Sequence, residues 1–229
     1  MTNKRCFLMT AYCNTPEKQE ALKNTIINIK KYNIDIILFS HYPIKEDIQP
    51  LVRYSIYDYS NPISNIKDKS MINWKKLNKF RKKTIPFKLN TLAVDYGYAA
   101  AQQFKRGLLF ANQLDYDEVI VLNYDLEVTD KMLKDFDDNL INYDNIILKY
   151  GNDDASMYMA WFALKLKPFI KNIKSINYTD YVKTEVIVEN YLFQKFNSVN
   201  SLIIPRKKWE GENPNEPKIK TSIIMEGDI

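Results

Sequence analysis

The sequence predicts an α/β fold in which a mixed, mostly parallel sheet is flanked by helices. Three observations lead there. Near-continuous apolar stretches recur along the 229 residues, and strands that are apolar on both faces belong to sheets buried on both sides. Segments with apolar residues at helical spacing separate those stretches, in an opening β-α-β order. Composition is that of an ordinary globular domain, 45% hydrophobic and 27% charged. With no repeat, low-complexity linker or break in composition, one domain spanning 1–229 is expected.

The first strand is CFLMTAY, from Cys6. It follows a basic start, but its apolar run is too short for a signal peptide and no small-residue cleavage site follows. Cys6 and Cys13 flank it on opposite faces, roughly 23 Å apart in extended chain. They cannot pair with each other, and are expected as buried apolar fillers of a cytoplasmic protein. Thr15 is placed to cap a helix over 16–31, with Pro16 at its first position. The strands IDIILFS (34–40) and SIYDY (55–59) come next.

Residues 61–89 lose the pattern. They hold Pro62, Pro86 and the basic run WKKLNKFRKK at 74–83, and read as an irregular basic excursion with one short helix. The run suits phosphate, an acceptor glycan or an anionic lipid surface, and equally a solvated basic face. Helical spacing returns over 96–114, YGYAAAQQFKRGLLFANQL. The strand EVIVLNYDLEV (118–128), a helix over 130–140, strands over 145–151 and 156–164, a helix over 183–196 and a last strand SLIIP complete the chain. The polar tail 206–229 is expected to be mobile. No apolar run reaches the ~18 residues of a membrane helix.

Scarcity removes several chemistries. His41 is the only histidine, so H-E-x-x-H zinc chemistry is excluded, and no G-x-S-x-G elbow exists. The five glycines, at 97, 107, 151, 211 and 227, spell neither a dinucleotide fingerprint nor a phosphate loop. A net charge of +5, from 33 basic and 28 acidic residues, suits anionic small molecules and is no nucleic-acid signature. No nucleic-acid partner is expected, although Trp74, Phe80 and Phe87 within and beside the basic run make salt-dependent binding a cheap check.

The segment VIVLNYDLEV carries the chemistry. Side chains alternate along extended chain, so Asn123, Asp125 and Glu127 point one way at a strand's carboxyl end, where ligands of open α/β sheets bind. Two carboxylates with no cation in the segment repel unless a positive ion lies between them. Mn²⁺ or Mg²⁺, which takes one or two carboxylates and fills its shell with water and phosphate oxygens, is the natural filler.

A strand, a Tyr/Ala-rich helix running YGYAAAQQFKRG and a strand ending in NYDLE resemble the GT-A class of glycosyltransferases. TAYCNT, SHYPI and IYDYSNP, after the first three strands, resemble small members from bacterial polysaccharide clusters and large viruses. The likeness spans about residues 5–200, with one departure: the acidic signature reads Asp-Leu-Glu in place of Asp-x-Asp. It implies a single-domain GT-A-like fold and a metal-dependent transferase that moves a sugar from a nucleoside-diphosphate donor, UDP-linked in the first instance and GDP-linked in the second, to a glycan acceptor. Asp125 and Glu127 would hold the cation. Thr10, Ala11, Tyr12, Tyr57, Asp58, Tyr96, Tyr98, Gln102, Asn123 and Arg206 would line the donor site with Asp125.

An inverting reaction also needs a carboxylate to accept the acceptor's proton. Asp153, Asp154, Glu185 and Glu189 are candidates, the last two one helical turn apart, with Asp154 and Glu185 preferred. Trp161 and Trp209 could stack on a sugar, Trp161 being the better core candidate. Lys207 and Lys208 would join Arg206 in a tail that folds over the diphosphate. His41, at the second strand's carboxyl end, reads as a structural hydrogen-bonder ahead of a ligand contact. Two alternatives remain open: a sugar-phosphate nucleotidyltransferase, disfavoured because TAYCNTPEK lacks glycine, and a non-catalytic nucleotide- or glycan-binding module.

Overall fold

A computed structural model describes residues 3–61, 65–68, 92–95, 97–149, 157–184 and 188–204. Among the described residues nine strands and six α-helices follow one another: β1 (Arg5–Ala11), α1 (Pro16–Lys30), β2 (Asp35–Ser40), β3 (Tyr54–Tyr57), β4 (Asn65–Asp68), β5 (Leu92–Asp95), α2 (Gly97–Gln113), β6 (Glu118–Asn123), α3 (Asp130–Leu140), β7 (Asn145–Lys149), β8 (Met157–Lys165), α4 (Leu166–Ser175), α5 (Tyr178–Lys183), α6 (Val188–Phe196) and β9 (Ser201–Ile204). Seven strands form one sheet in the order β3-β2-β1-β6-β8-β7-β9, and β4 pairs with β5 in a separate ribbon. β3, β2, β1 and β6 run parallel. β8 lies antiparallel between β6 and β7, and β9 is parallel to β7. The mixed, mostly parallel sheet expected from the sequence is therefore what forms.

Alternation along each strand builds two cores. Phe7, Met9, Ile36, Leu38, Ile120 and Leu122 pack against α1 and α3. Cys6, Leu8, Ile37, Val119 and Val121 pack against α2, α4 and α6 on the other face. The two cysteines are buried and unpaired, one in each layer. Thr15 caps α1 by accepting from the Lys18 amide, with Pro16 in the first turn. α2 crosses β1 closely: a Cβ on Gly107 would meet Leu8 Cδ1 at 2.6 Å and Cδ2 at 2.8 Å. Glycine is what permits that approach.

The sequence reading needs four corrections. The strand expected over 118–128 ends at Asn123, where the Asn123 Oδ1 accepts from the Tyr124 amide at 3.0 Å and turns the chain. The helix expected over 183–196 is replaced by α5 and α6; the Thr184 hydroxyl bonds back to the Tyr181 carbonyl at 2.6 Å and closes the first. α4 was not foreseen, although Leu166, Phe169 and Ile173 lie at helical spacing on its buried face. Pro168 sits in its first turn, where a missing N–H is tolerated. The irregular reading of 61–89 misses strand β4; most of that stretch, including 74–83, lies outside the described residues, as does the tail 206–229. Among the described residues no helix is long and apolar enough to cross a membrane.

Candidate active site

Parallel strands end together, and register aligns the residues at their carboxyl ends. Thr10 pairs across with Asn123, Ala11 with Ser40, and Ser40 with Tyr57. Thr10, Ala11, Tyr57 and Asn123 thus lie along one edge of the sheet. Tyr12 follows β1 and is partly buried. Its ring meets Tyr42 edge-on at 5.2 Å and His41 at 6.2 Å between centroids. Tyr57 is half exposed and tilts against Tyr59, which is 81% exposed. This row of aromatic and hydroxyl groups forms the outer part of the site.

Beyond β6 the chain leaves the sheet but keeps its alternation. Tyr124, Leu126 and Val128 turn into the layer under α1 and α3, while Asp125 is half-buried and Glu127 exposed. α1 fastens this loop, since Asn28 Oδ1 accepts from the Val128 amide at 3.2 Å. Tyr32 of the following turn donates to Asp130 at 2.7 Å. Asp125 and Glu127 share a cavity of about 780 Å³ with Glu17, Glu20, Asn28 and Lys45. Asp125 Oδ2 is shielded from solvent and has no hydrogen-bond partner among the described residues. Burial pushes the Asp125 carboxyl above its ordinary range.

That orphaned oxygen tests the fit of a cation. Asp125 and Glu127 line one cavity with Glu17, Glu20 and Lys45, and Asp125 is in need of a partner. Among the described residues, however, no group of three or more His, Cys, Asp or Glu is poised around one point. The donor set suits a hard ion that completes its shell with water and phosphate oxygens, as Mg²⁺ and Mn²⁺ do, and does not suit a closed protein cage.

A second polar cluster lies at the ends of β2 and β3. Asn61 is 3% exposed, and its amide donates to the Ala99 carbonyl at 2.8 Å and meets His41 Nε2 at 3.0 Å. The Ala99 carbonyl fixes which end of the amide is nitrogen, so Nε2 accepts and the His41 proton sits on Nδ1. Burial holds the imidazole below its ordinary pKa, against the pull of Asp58 and alongside the push of Arg106. Asp58 is buried in an ion pair with Arg106 of α2, which also donates to Ser60 Oγ at 2.9 Å. His41 Nδ1, Asp58 Oδ2 and Asn61 Oδ1 lack partners among the described residues.

Register therefore aligns Thr10, Ala11, Tyr57 and Asn123 along one edge, with Tyr12 and the buried Asp58 next in the chain; Asp125 and Glu127 follow β6 and line a cavity with α1 residues and Lys45. Tyr98 is set apart: it is buried, stacks on Tyr181 at 5.9 Å and donates to Gln102 Oε1 at 2.9 Å. Glu189 lies in the first turn of α6. Tyr96, Asp153, Asp154, Glu185, Arg206, Lys207, Lys208 and Trp209 lie outside the described residues. Trp161 stacks on Phe136 at 4.5 Å, 3% exposed in the core, so its use as a sugar platform is withdrawn. Sequence reasoning missed Asn61 and Arg106. Arg106 follows Gln102 by one helical turn, a spacing that could have suggested a shared face; Asn61 carried no signal.

The architecture is a GT-A-like fold. No protein-family model and no curated protein matches the sequence. The likeness is to solved structures. One is core-mannan synthase A from Aspergillus fumigatus in an Mn/GDP form, 9% identical over 89% of this chain and 73% of that one, with a TM-score of 0.51. Another is the bifunctional glycosyltransferase WbbM, 13% identical over 91% of this chain and 40% of that one, at 0.50. A 4-diphosphocytidyl-2C-methyl-D-erythritol synthase, 10% identical over 89% of both chains, gives 0.47. At such identities the likeness is one of fold.

Proposed function

We propose that this chain is a nucleotide-sugar-dependent glycosyltransferase whose donor lies across the carboxyl edge of β3, β2, β1 and β6. The observation that carries the reading is the register row Tyr57, Ala11, Thr10 and Asn123, followed in the chain by Asp125 and Glu127, which line one cavity beside α1. Tyr12 and Tyr57 offer ring surface to a base or ribose. Asp125 and Glu127 would hold Mn²⁺ or Mg²⁺ against the donor's diphosphate; the metal form of core-mannan synthase A favours this. When bound, the cation supplies charge stabilisation to the leaving nucleoside diphosphate. UDP is the first donor nucleotide to test and GDP the second. The acceptor would be a glycan hydroxyl, as in surface polysaccharide synthesis. Two buried, unpaired thiols suit a reducing compartment, which for this chain would be the cytoplasm.

The protein groups divide the reaction between them. The bond from the anomeric carbon to the β-phosphate oxygen breaks with its electron pair on that oxygen. The acceptor oxygen bonds to the same carbon, and its proton passes to a carboxylate if the reaction inverts. Asp154, Glu185 and Glu189 are the proposed bases. The fold alone does not choose between glycosyl and nucleotidyl transfer. The loop Tyr12–Thr15 does weigh on the choice, since it holds no glycine with which to wrap a triphosphate. The test is a thermal-shift panel of UDP, GDP, CMP and dTDP, each with and without Mn²⁺. Stabilisation by one nucleoside diphosphate that requires metal is expected. No shift with any of them would remove the transferase reading and bring the binding-module alternative forward.

A further inference from the structure

We infer that Lys18 is a protein cation for the donor's diphosphate, acting from beside Tyr12 at the carboxyl end of β1. The inference rests on the transferase reading above and names a residue that reading does not use. Lys18 lies in the first turn of α1, and its ammonium sits 5.0 Å above the centre of the Tyr12 ring. Its polar partner is neutral, the Asn14 Oδ1 at 3.0 Å. Among the described residues no carboxylate lies within ion-pair distance of it. Lys23, one turn and a half further on, has Asp47 at 2.6 Å. Helix stability does not explain Lys18, because a cation in the first turn opposes the helix dipole. Lys18 is partly buried against an aromatic ring with its charge unneutralised, at the point where the donor edge begins.

Cys13, next to Tyr12, feels both that charge and the Asp125 carboxylate. The thiol is buried between Tyr12 and Asn14, and burial pushes it up to about 12, with Lys18 pulling it down and Asp125 pushing it up. Lys18 and Asp125 therefore both lie within electrostatic reach of the residue next to Tyr12. A diphosphate running from a base on Tyr12 towards Asp125 would start beside the Lys18 ammonium and end at the cation held by Asp125 and Glu127. A flexible four-carbon stem lets Lys18 leave the Tyr12 ring for a phosphate oxygen, which it binds as a point charge.

The experiment is calorimetric titration of wild type, Lys18→Gln and Lys18→Arg with UDP and uridine, and with GDP and guanosine, all with Mn²⁺. Lys18→Gln is expected to weaken the diphosphate about tenfold, in line with loss of one charge-assisted contact, while nucleoside affinity stays within twofold. Lys18→Arg should restore most of the loss. The salt dependence of diphosphate binding should also flatten in Lys18→Gln. Nucleoside binding doubles as the check that the variant is folded. Equal diphosphate affinity in Lys18→Gln and wild type overturns the inference and leaves the transferase reading standing. A parallel loss for nucleoside and diphosphate also overturns it, because Lys18 would then only brace Tyr12. Failure of wild type to bind any of the four ligands overturns the transferase reading, and this inference with it.

Discussion

Replacing Asp125 by asparagine should make the ligand-free protein more stable and the liganded protein less so. Asp125 Oδ2 is out of solvent without a donor among the described residues, and burial raises the carboxyl's pKa. A folded-state pKa above the unfolded one means that stability present in acid is lost as pH rises through the folded value. At pH 7 the ionised carboxylate is therefore a net burden. An unsatisfied buried polar group costs about 1–3 kcal/mol. Asp125 is only partly buried and asparagine keeps a polar atom, so the lower end applies. A gain of about 1 kcal/mol corresponds to about 2–4 °C in a chain of this size. A nucleoside diphosphate with Mn²⁺ at a hundred times its Kd should stabilise wild type by about 2.7 kcal/mol and Asp125→Asn by almost nothing. Melting curves in EDTA and in Mn²⁺ with UDP or GDP should therefore cross. The reasoning fails if Asp125→Asn melts at or below wild type in EDTA, or if it keeps the metal-dependent shift.

Three further outcomes follow from the packing and polar network. Gly107→Ala should lower the melting temperature, because its Cβ would strike the buried Leu8 side chain; overpacking of about 1–3 kcal/mol outweighs a helix-propensity gain of about 1, and in a Leu8→Ala background the same change should cost less. Arg106→Ala leaves Asp58 buried without its partner and should cost about 3 kcal/mol in urea unfolding, with Asp58→Asn in the same chain recovering part of it; an additive double variant would refute the pairing. His41 is the chain's one histidine and is held neutral by burial. Its contribution is complete above the unfolded pKa near 6.5 and is lost as pH falls from there towards the depressed folded value, by up to about 1.4 kcal/mol per pH unit. Urea midpoints at pH 7 and 5.5 should converge in His41→Gln relative to wild type.

The parts legible in the sequence were those governed by local periodicity. The alternation in VIVLNYDLEV placed Asp125 and Glu127 on one side, and the structure keeps them in one cavity even though the ladder stops at Asn123. The stop was not legible, because it depends on an asparagine side chain bonding to the next amide in competition with the strand. α1 and its cap could be read from Thr15 and Pro16. α4 was obscured because Pro168 resembles a breaker unless its place in the first turn is known. Arg106, Asn61 and Lys18 were beyond reach for a different reason. Their partners are Asp58, Ala99 and Tyr12. The first two pairings are 48 and 38 residues apart in the chain, so only the closing of the sheet brings them together.

The distribution of unsatisfied polar atoms ties these features to function. Of the seven buried side-chain atoms without a partner among the described residues, four belong to His41, Asp58, Asn61 and Asp125. These four residues follow the carboxyl ends of β2, β3 and β6. Most buried polar groups in folded proteins are satisfied, and exceptions call for a cause. Arg106 pairs with Asp58, and Asn61 bonds to the Ala99 carbonyl, yet each of the four residues keeps one buried polar atom unmatched among the described residues. The opposite edge, where Arg5 pairs with both Glu118 and Asp137, shows that the same fold can satisfy a strand end when stability alone is at stake. A carboxyl edge at which four of the seven such atoms fall is what a sheet built to receive a polar ligand would display.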